Sequence, residues 1–263
     1  MRVCLLAPGD TLPRWQADAL THLLVNTDAE VTSVVYDEYE ADRTTVEAIK
    51  RGVELREWAV VATLSDALAG PMPERDRVPL ADVVDLEAVP TWSVEPRIVD
   101  GWKREIPAAV AEAVADKSDI GLRYAFGFLV GPILTALEHG ILSFHHGDLR
   151  EYRGQPMGFW EFVNGDDEVG ITVQLIDETL DAGRVAALKR VPIGDLHTWE
   201  TVKRRLLSES EDMLTRSVRA VEAGTIREPD SLGNLYTHPK GRPVATFAAR
   251  NAIGRVREVV GAD

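Results

Sequence analysis

Short apolar segments alternate with stretches of helical periodicity over the first two-thirds of the chain. Val3 to Ala7 and Val31 to Tyr36 are predicted strands on either side of a helix from Leu12 to Val25. A strand, a crossover helix and a second strand form the repeating unit of a mostly parallel sheet. The pattern therefore predicts an α/β fold, an open and mostly parallel sheet with helices on both faces.

The rest of the chain continues this alternation less regularly. Further strands are predicted at 120–126, 141–144, 171–176 and 185–191. Further helices are predicted at 43–69, 106–115, 132–138 and 199–221. Four prolines mark 70–101 as a loop-rich insertion. Because 263 residues approach the upper size for one hydrophobic core, we predict one catalytic domain over 1–225 and a short, flexible C-terminal extension over 226–263.

Charge and composition exclude several classes of protein. The net charge of −14 repels phosphate backbones and argues against general nucleic-acid binding. No uninterrupted apolar run is long enough to cross a membrane. Cys4 is the only cysteine, so an internal disulfide framework and a multi-cysteine zinc site are both excluded. The expected partner is therefore a small molecule.

The compartment and the assembly are also expectations from the sequence. The first apolar segment is too short to be a secretory signal, which favours a cytoplasmic protein. Acids outnumber bases, and arginine predominates among the bases, which fits a salt-rich, halophilic cytoplasm or a GC-rich genome. The apolar stripe of the 199–221 helix, with Trp199 and Met213-Leu214, belongs to the core or to a homodimer interface.

Two segments carry the candidate chemistry. The strand ending at Phe144 runs directly into His145 and His146, and a strand near residue 176 ends in a cluster of carboxylates. If these strands are neighbours, Asp177 or Asp181 can reach an imidazole. A carboxylate beside an imidazole orients the ring for proton transfer near neutral pH.

A metal site is the alternative for the same histidines. His145, His146 and Asp148 are residue types that bind metal ions. Adjacent side chains on an extended strand point to opposite faces and cannot share an ion, so we expect no metal.

These segments resemble the formyltransferase catalytic domain shared by methionyl-tRNA, glycinamide ribonucleotide and sugar N-formyltransferases. The resemblance covers about residues 119 to 190 and includes the catalytic histidine, the loop after it, a Gly-x-Thr strand and an Asp-x-Gly turn. The matching positions are His145, Tyr152-Arg153-Gly154, Pro156, Trp160, Asn164-Gly165, Gly170, Thr172 and Asp181-Ala182-Gly183. The resemblance implies a Rossmann-like sheet.

One departure concerns the chemistry. The family's asparagine, whose amide donates to the developing oxyanion, falls on Ser143. The resemblance implies His145 and Asp181 as catalytic residues, with the Ser143 hydroxyl as an auxiliary donor. It implies a folate slot formed by the segment 124–129 and by the acidic turn, with these cofactor-binding residues: Tyr124, Phe126, Gly127, Phe128, Leu129, Ile176, Asp177 and Leu180. The residues expected to bind the acceptor are His146, Asp148, Tyr152 and Arg153.

The implied function is transfer of a formyl group from 10-formyltetrahydrofolate to a primary amine of a small acceptor. A nucleotide-linked amino sugar is the favoured acceptor, because residues 191–263 carry eleven bases and ten acids, a balance too weak to hold tRNA. Two alternatives stay open: a formyltetrahydrofolate hydrolase, and a non-catalytic relative that binds folate or nucleotide.

Overall fold

The computed structural model describes residues 1–39, 55, 57–124 and 126–260. Part of the predicted 43–69 helix, residues 43–54 and 56, lies outside the described residues. The strands are β1 (Arg2–Ala7), β2 (Thr11–Pro13), β3 (Glu30–Asp37), β4 (Arg77–Pro79), β5 (Thr91–Val94), β6 (Arg97–Val99), β7 (Lys103–Glu105), β8 (Ile120–Arg123), β9 (Phe128–Val130), β10 (Ile141–His145), β11 (Tyr152–Gly154), β12 (Glu168–Leu175), β13 (Arg184–Pro192) and β14 (Asn234–Tyr236). The helices are α1 (Arg14–Asn26), α2 (Glu57–Leu68), α3 (Ala108–Ala115), α4 (Ile133–Ala136), α5 (Phe159–Asn164), α6 (Trp199–Ser208), α7 (Met213–Glu222) and α8 (Arg242–Val260).

A seven-stranded sheet in the order β13-β12-β10-β8-β1-β3-β5 organises the molecule. Strands β10, β8, β1, β3 and β5 run parallel to one another. Strand β12 is antiparallel to its neighbour β10, and the edge strand β13 is antiparallel to β12. The predicted α/β fold with a mostly parallel sheet is confirmed.

Two hydrophobic clusters cover the two faces of this sheet. Along β1, Val3 and Leu5 belong to the first cluster and Cys4 and Leu6 to the second, because successive side chains of a strand alternate in direction. Helices α1, α2, α6, α7 and α8 contribute to the first cluster, and α3 and α4 to the second. Helices on both faces are therefore confirmed.

The prediction of one helix over 199–221 is wrong in one respect, because the segment forms two helices. The Thr198 hydroxyl caps α6 by accepting the backbone N–H of Thr201, but α6 ends at Ser208 and α7 begins at Met213. The apolar periodicity continues across the break, so the sequence pattern does not reveal it. The buried Ser210 occupies the connecting turn and donates its hydroxyl to the Leu206 carbonyl.

The proline-rich segment and the C-terminal segment contain more regular structure than their sequences suggest. Strand β5 of the 70–101 segment forms the edge of the main sheet beside β3. The expectation of a flexible terminus is wrong, since α8 packs with Phe247 against Trp58, Phe159 and Trp199. The division at residue 225 stays a prediction. In the described part of the chain, no helix combines the length and the apolar character that crossing a bilayer requires.

Candidate active site

The imidazole of His145 lies between a backbone carbonyl and a carboxylate. His145 is the last residue of β10, and its Nε2 donates a hydrogen bond to the Tyr152 carbonyl oxygen at 2.9 Å. Its Nδ1 lies 3.5 Å from Oδ1 of Asp181, and the two side chains are 7% and 16% exposed. Because a carbonyl can only accept, Nε2 carries a hydrogen, and Nδ1 is the nitrogen that faces the acid.

The structure brings Asp181 rather than Asp177 to the histidine. Strand β12 runs antiparallel to β10 and its last residue, Leu175, pairs with Leu142 near the start of β10. Asp177 therefore begins the turn near the start of β10, at the end opposite His145, and its carboxylate accepts the Thr179 N–H within that turn. The turn then folds back, and Asp181 reaches His145.

Several donors hold the Asp181 carboxylate in place. Its Oδ2 accepts the backbone N–H of Gly154 at 3.0 Å, and its Oδ1 accepts Nε2 of Gln174 at 3.2 Å. Arg153 donates to the carbonyl oxygens of Asp181 and Leu180, each at 2.9 Å. Arg153, expected at the acceptor, is thus engaged in fixing the acidic turn.

The Gly-x-Thr pattern of β12 has a structural reason. The Thr172 hydroxyl donates to the Gly147 carbonyl at 2.7 Å, which anchors the loop after His145 to β12. A Cβ on Gly147 would lie 2.6 Å from His145 Nε2 and 2.7 Å from the Tyr152 carbonyl oxygen. A Cβ on Gly170 would lie 2.9 Å from the Asp148 Cα. Small residues here allow the loop to close on the histidine.

A narrow cleft with a cavity volume of about 20 Å³ adjoins the His145–Asp181 pair. Its lining combines apolar side chains with the acidic turn and one cation: Arg123, Phe128, Leu129, Gln174, Ile176, Asp177, Thr179, Leu180 and Asp181. Five of the residues expected at the folate slot therefore line it. His145 adjoins it through Asp181.

The three other residues expected at the folate slot are not among those that line the cleft. Tyr124 and Phe126 are 1% and 0% exposed and belong to the two core clusters on opposite faces of the sheet. Both positions follow the end of β8 at Arg123, and Ala125 between them lies outside the described residues. Gly127 has a φ of +70° and accepts a hydrogen bond from Arg123 through its carbonyl oxygen.

Arg123 is the site residue that the sequence analysis missed. It ends β8, and its Nε and Nη2 donate to the Ser143 hydroxyl oxygen at 3.1 and 2.9 Å. Ser143 is therefore an acceptor for the guanidinium rather than simply a donor to substrate. Burial lowers the pKa of Arg123, and the charge of Asp181 offsets part of that effect. The available signal was a lone arginine ending a buried strand, Ile120-Gly121-Leu122-Arg123, one strand away from His145.

His146 is not brought to the cleft. It lies on the face of β10 opposite His145, where its Nε2 contacts the Ser210 hydroxyl at 3.1 Å and its ring meets Trp15 edge-on at 5.2 Å. Burial and the neighbouring His145 lower the pKa of His146 to about 3. The ring is therefore neutral at physiological pH and is part of the packing beneath α1.

Asp148 and Tyr152 are also engaged by the protein itself. Asp148 accepts hydrogen bonds from Arg150 at 2.6 Å and Arg190 at 2.8 Å. Burial alone would raise the pKa of Asp148, but the hydrogen bonds and charges of these arginines hold it below its usual value. The Tyr152 hydroxyl donates to Asp166 at 2.6 Å, while its backbone carbonyl orients His145.

The fold and the site together define a class of protein. An α/β sheet with an imidazole, a carboxylate and a small cleft near the ends of parallel strands has the arrangement of a small-molecule enzyme. No group of three or more metal-ligating side chains is found among the described residues. The chain belongs to the formyl transferase family, whose model matches residues 41–218.

A curated relative resembles the chain in sequence, and solved structures share its fold. The methionyl-tRNA formyltransferase of Anaeromyxobacter dehalogenans is 31% identical over 140 residues, which cover 51% of this chain and 45% of that protein. The chain thus spans less than half of that relative. A glycinamide ribonucleotide transformylase 1 from Symbiobacterium toebii superposes with a TM-score of 0.53 at 18% identity, covering 88% of this chain and 94% of that one.

A second solved structure carries ligands in its description. It is an N-formyltransferase from Helicobacter canadensis in complex with folinic acid and dTDP-3-aminofucose. It superposes with a TM-score of 0.55 at 12% identity, covering 97% of this chain and 81% of that one. At these identities the superpositions show a shared fold.

Proposed function

We propose that this protein transfers a formyl group from 10-formyltetrahydrofolate to a primary amine of a small acceptor, most specifically an amino sugar linked to a nucleotide. The observation that carries the proposal is the His145–Asp181 pair beside the cleft. Membership of the formyl transferase family supports the reaction class.

The side chains that line the cleft suit one end of a folate. Its apolar walls, formed by Phe128, Leu129, Ile176 and Leu180, suit a flat ring, and Arg123 and Asp181 supply polar groups beside it. Pockets that enclose a whole drug-sized ligand hold about 300–1,000 Å³. The cleft, at about 20 Å³, is far smaller, so it would have to widen to admit the end of the folate that carries the formyl group, while the rest of the folate would extend outward. Bound there, 10-formyltetrahydrofolate would supply an activated formyl carbon.

His145 is the proton carrier in this proposal. Its Nε2–H is committed to the Tyr152 carbonyl, so a proton can be exchanged only at Nδ1. The Asp181 carboxylate lies 3.5 Å from that nitrogen, close enough to attract a positive charge on the ring during proton transfer. The proton that an attacking amine loses can thus be held at Nδ1 and returned to the leaving nitrogen.

The charge balance of the C-terminal third of the chain favours a small acceptor over tRNA. Residues 191–263 carry eleven bases and ten acids, and a net charge of +1 is a weak attraction for an RNA backbone. The Helicobacter canadensis neighbour is described with dTDP-3-aminofucose, which provides a first acceptor to test.

The experiment is a formyl-transfer assay with a matched histidine control. The protein is incubated with 10-formyltetrahydrofolate and a panel of dTDP- and UDP-linked 3-amino and 4-amino sugars, and the formylated product is measured by mass spectrometry. His145→Ala should abolish transfer, and His139→Ala, whose only described hydrogen bond is through its backbone N–H, should leave it intact.

Each other outcome has a defined meaning. Formate released at the same rate without any amine would replace the proposal with a hydrolase. Binding of folinic acid without turnover of any amine would replace it with a non-catalytic binding protein. Transfer that survives His145→Ala would remove the assigned role of the imidazole.

A further inference from the structure

Arg123 is a charged side chain placed in the cleft without a carboxylate partner. Among residues 1–39, 55, 57–124 and 126–260, no acid lies within ion-pair distance of its guanidinium, although Asp181 acts on it from further away. A charge that is taken out of water without a partner is costly to maintain. An arginine in that position suggests a ligand that carries or develops negative charge.

The hydrogen bonds of Arg123 leave donors available. A guanidinium has five N–H groups. The described contacts use three: Nε and Nη2 donate to the Ser143 hydroxyl, and Nη1 donates to the Gly127 carbonyl. These contacts fix the plane of the guanidinium, and because Arg123 lines the cleft, its remaining N–H groups are the donors available to a ligand there.

The register of the sheet places this cation beside the catalytic pair. Arg123 pairs with Ser143 across β8 and β10, and Ser143 pairs with Gln174 across β10 and β12. His145 follows Ser143 by two positions and shares its face. Gln174 in turn donates to Asp181. One row of side chains thus connects the guanidinium to the carboxylate that faces His145.

Building on the proposed function, we propose that Arg123 contacts the formyl oxygen and stabilises the negative charge that develops on it, in place of the asparagine amide that the family resemblance would put at position 143. Ser143 is then a positioning residue that holds the guanidinium.

The reaction balances with Arg123 as a donor only. As the amine nitrogen bonds to the formyl carbon, the π pair of the carbonyl moves onto oxygen, where Arg123 donates hydrogen bonds without losing a proton. When the carbonyl reforms, the bond from carbon to the donor nitrogen breaks. The proton released by the amine passes through His145 Nδ1 to that leaving nitrogen.

The kinetic test compares Arg123→Met with the exposed-arginine control Arg97→Met. With the amine acceptor that the formyl-transfer assay identifies, loss of an oxyanion donor should lower kcat about 100- to 1,000-fold, with a much smaller change in KM for the folate. Guanidinium ion at millimolar concentration should restore part of the kcat of Arg123→Met and leave the Arg97→Met rate unchanged. Adding Ser143→Asn to Arg123→Met should also raise kcat, because the amide can then reach the formyl oxygen.

A second readout does not depend on turnover. The carbonyl stretch of a ¹³C-labelled, hydrolytically stable 10-formyl deazafolate is recorded by difference infrared spectroscopy on the bound protein. A hydrogen bond from Arg123 should lower this frequency relative to Arg123→Met. If Arg123→Met does not fold, Ser143→Ala, which removes the hydroxyl that orients the guanidinium, should raise the frequency in the same direction.

The outcomes separate this inference from the function on which it rests. An active wild-type protein whose kcat survives Arg123→Met, or equal carbonyl frequencies in the two proteins, would overturn the role of Arg123. A wild-type protein that formylates no amine would overturn the proposed function, and the carbonyl frequency of the bound analogue would still decide whether Arg123 polarises the formyl group.

Discussion

Asp181→Asn tests the central pair of the site. The side chain keeps its size but loses the charge that lies 3.5 Å from His145 Nδ1. At an effective dielectric constant of about 20, that attraction is worth about 5 kcal/mol for a protonated ring. An asparagine amide would instead donate to Nδ1 and hold the imidazole neutral. Because about 1.4 kcal/mol corresponds to tenfold in rate, we expect kcat to fall by about 1,000- to 10,000-fold, in the upper part of the usual range for acid–base catalysis.

The measurement combines kinetics with the protonation state of one ring. Steady-state formyl transfer gives kcat, and ¹⁵N spectra of labelled histidine report whether Nδ1 of His145 carries a proton. The exposed Asp167→Asn is the control for loss of one negative charge and should match the wild type in both. A kcat within tenfold of the wild type, together with an unchanged His145 spectrum, would refute the reasoning.

Three further predictions concern packing and pH. Gly147→Ala should displace the His145 hydrogen bond to its backbone acceptor and lower kcat at least tenfold, measured beside a melting curve that shows the fold intact. Asp148→Asn should reduce the melting temperature at pH 7 and progressively less as the pH falls below about 4, because the depressed pKa of Asp148 gives stability that is present above the ordinary carboxyl pKa and lost in acid. Burial raises the pKa of Glu161 to about 8, so it disfavours folding increasingly from about pH 4.5 to 8; Glu161→Gln should raise thermal stability at pH 7.5 and have little effect at pH 4.5.

The parts of the site that the sequence revealed are local in the chain. His145 could be found because it ends an apolar strand, and the turn at Asp181 because its residue types recur in a known family pattern. The choice between Asp177 and Asp181 could not be made from the sequence, because it depends on β12 running antiparallel to β10. Arg123 escaped notice because its partner Ser143 is 20 residues away in the chain.

The packing of the C-terminal segment was also not predictable from the sequence, for the same reason. The residues that α8 buries include Asn251 and Gly254 as well as Val244 and Phe247. The apolar spacing that would predict a buried helix is therefore incomplete. Asn251 accepts the backbone N–H of Trp199, and Gly254 allows close approach to the His197 carbonyl. These are contacts between distant segments, and hydrophobic periodicity does not report them.

The sequence by itself determined the α/β class and the alternation of strands and helices, because each depends on apolar spacing within a few residues. It also determined that His145 and His146 would point in opposite directions, since neighbouring side chains on a strand alternate. Only the tertiary structure decided which carboxylate faces His145 and that Arg123 is held by Ser143 beside it. These two contacts depend on strand order and register, which bring together residues that are far apart in the chain. Their hydrogen-bond distances are set only when the fold is packed.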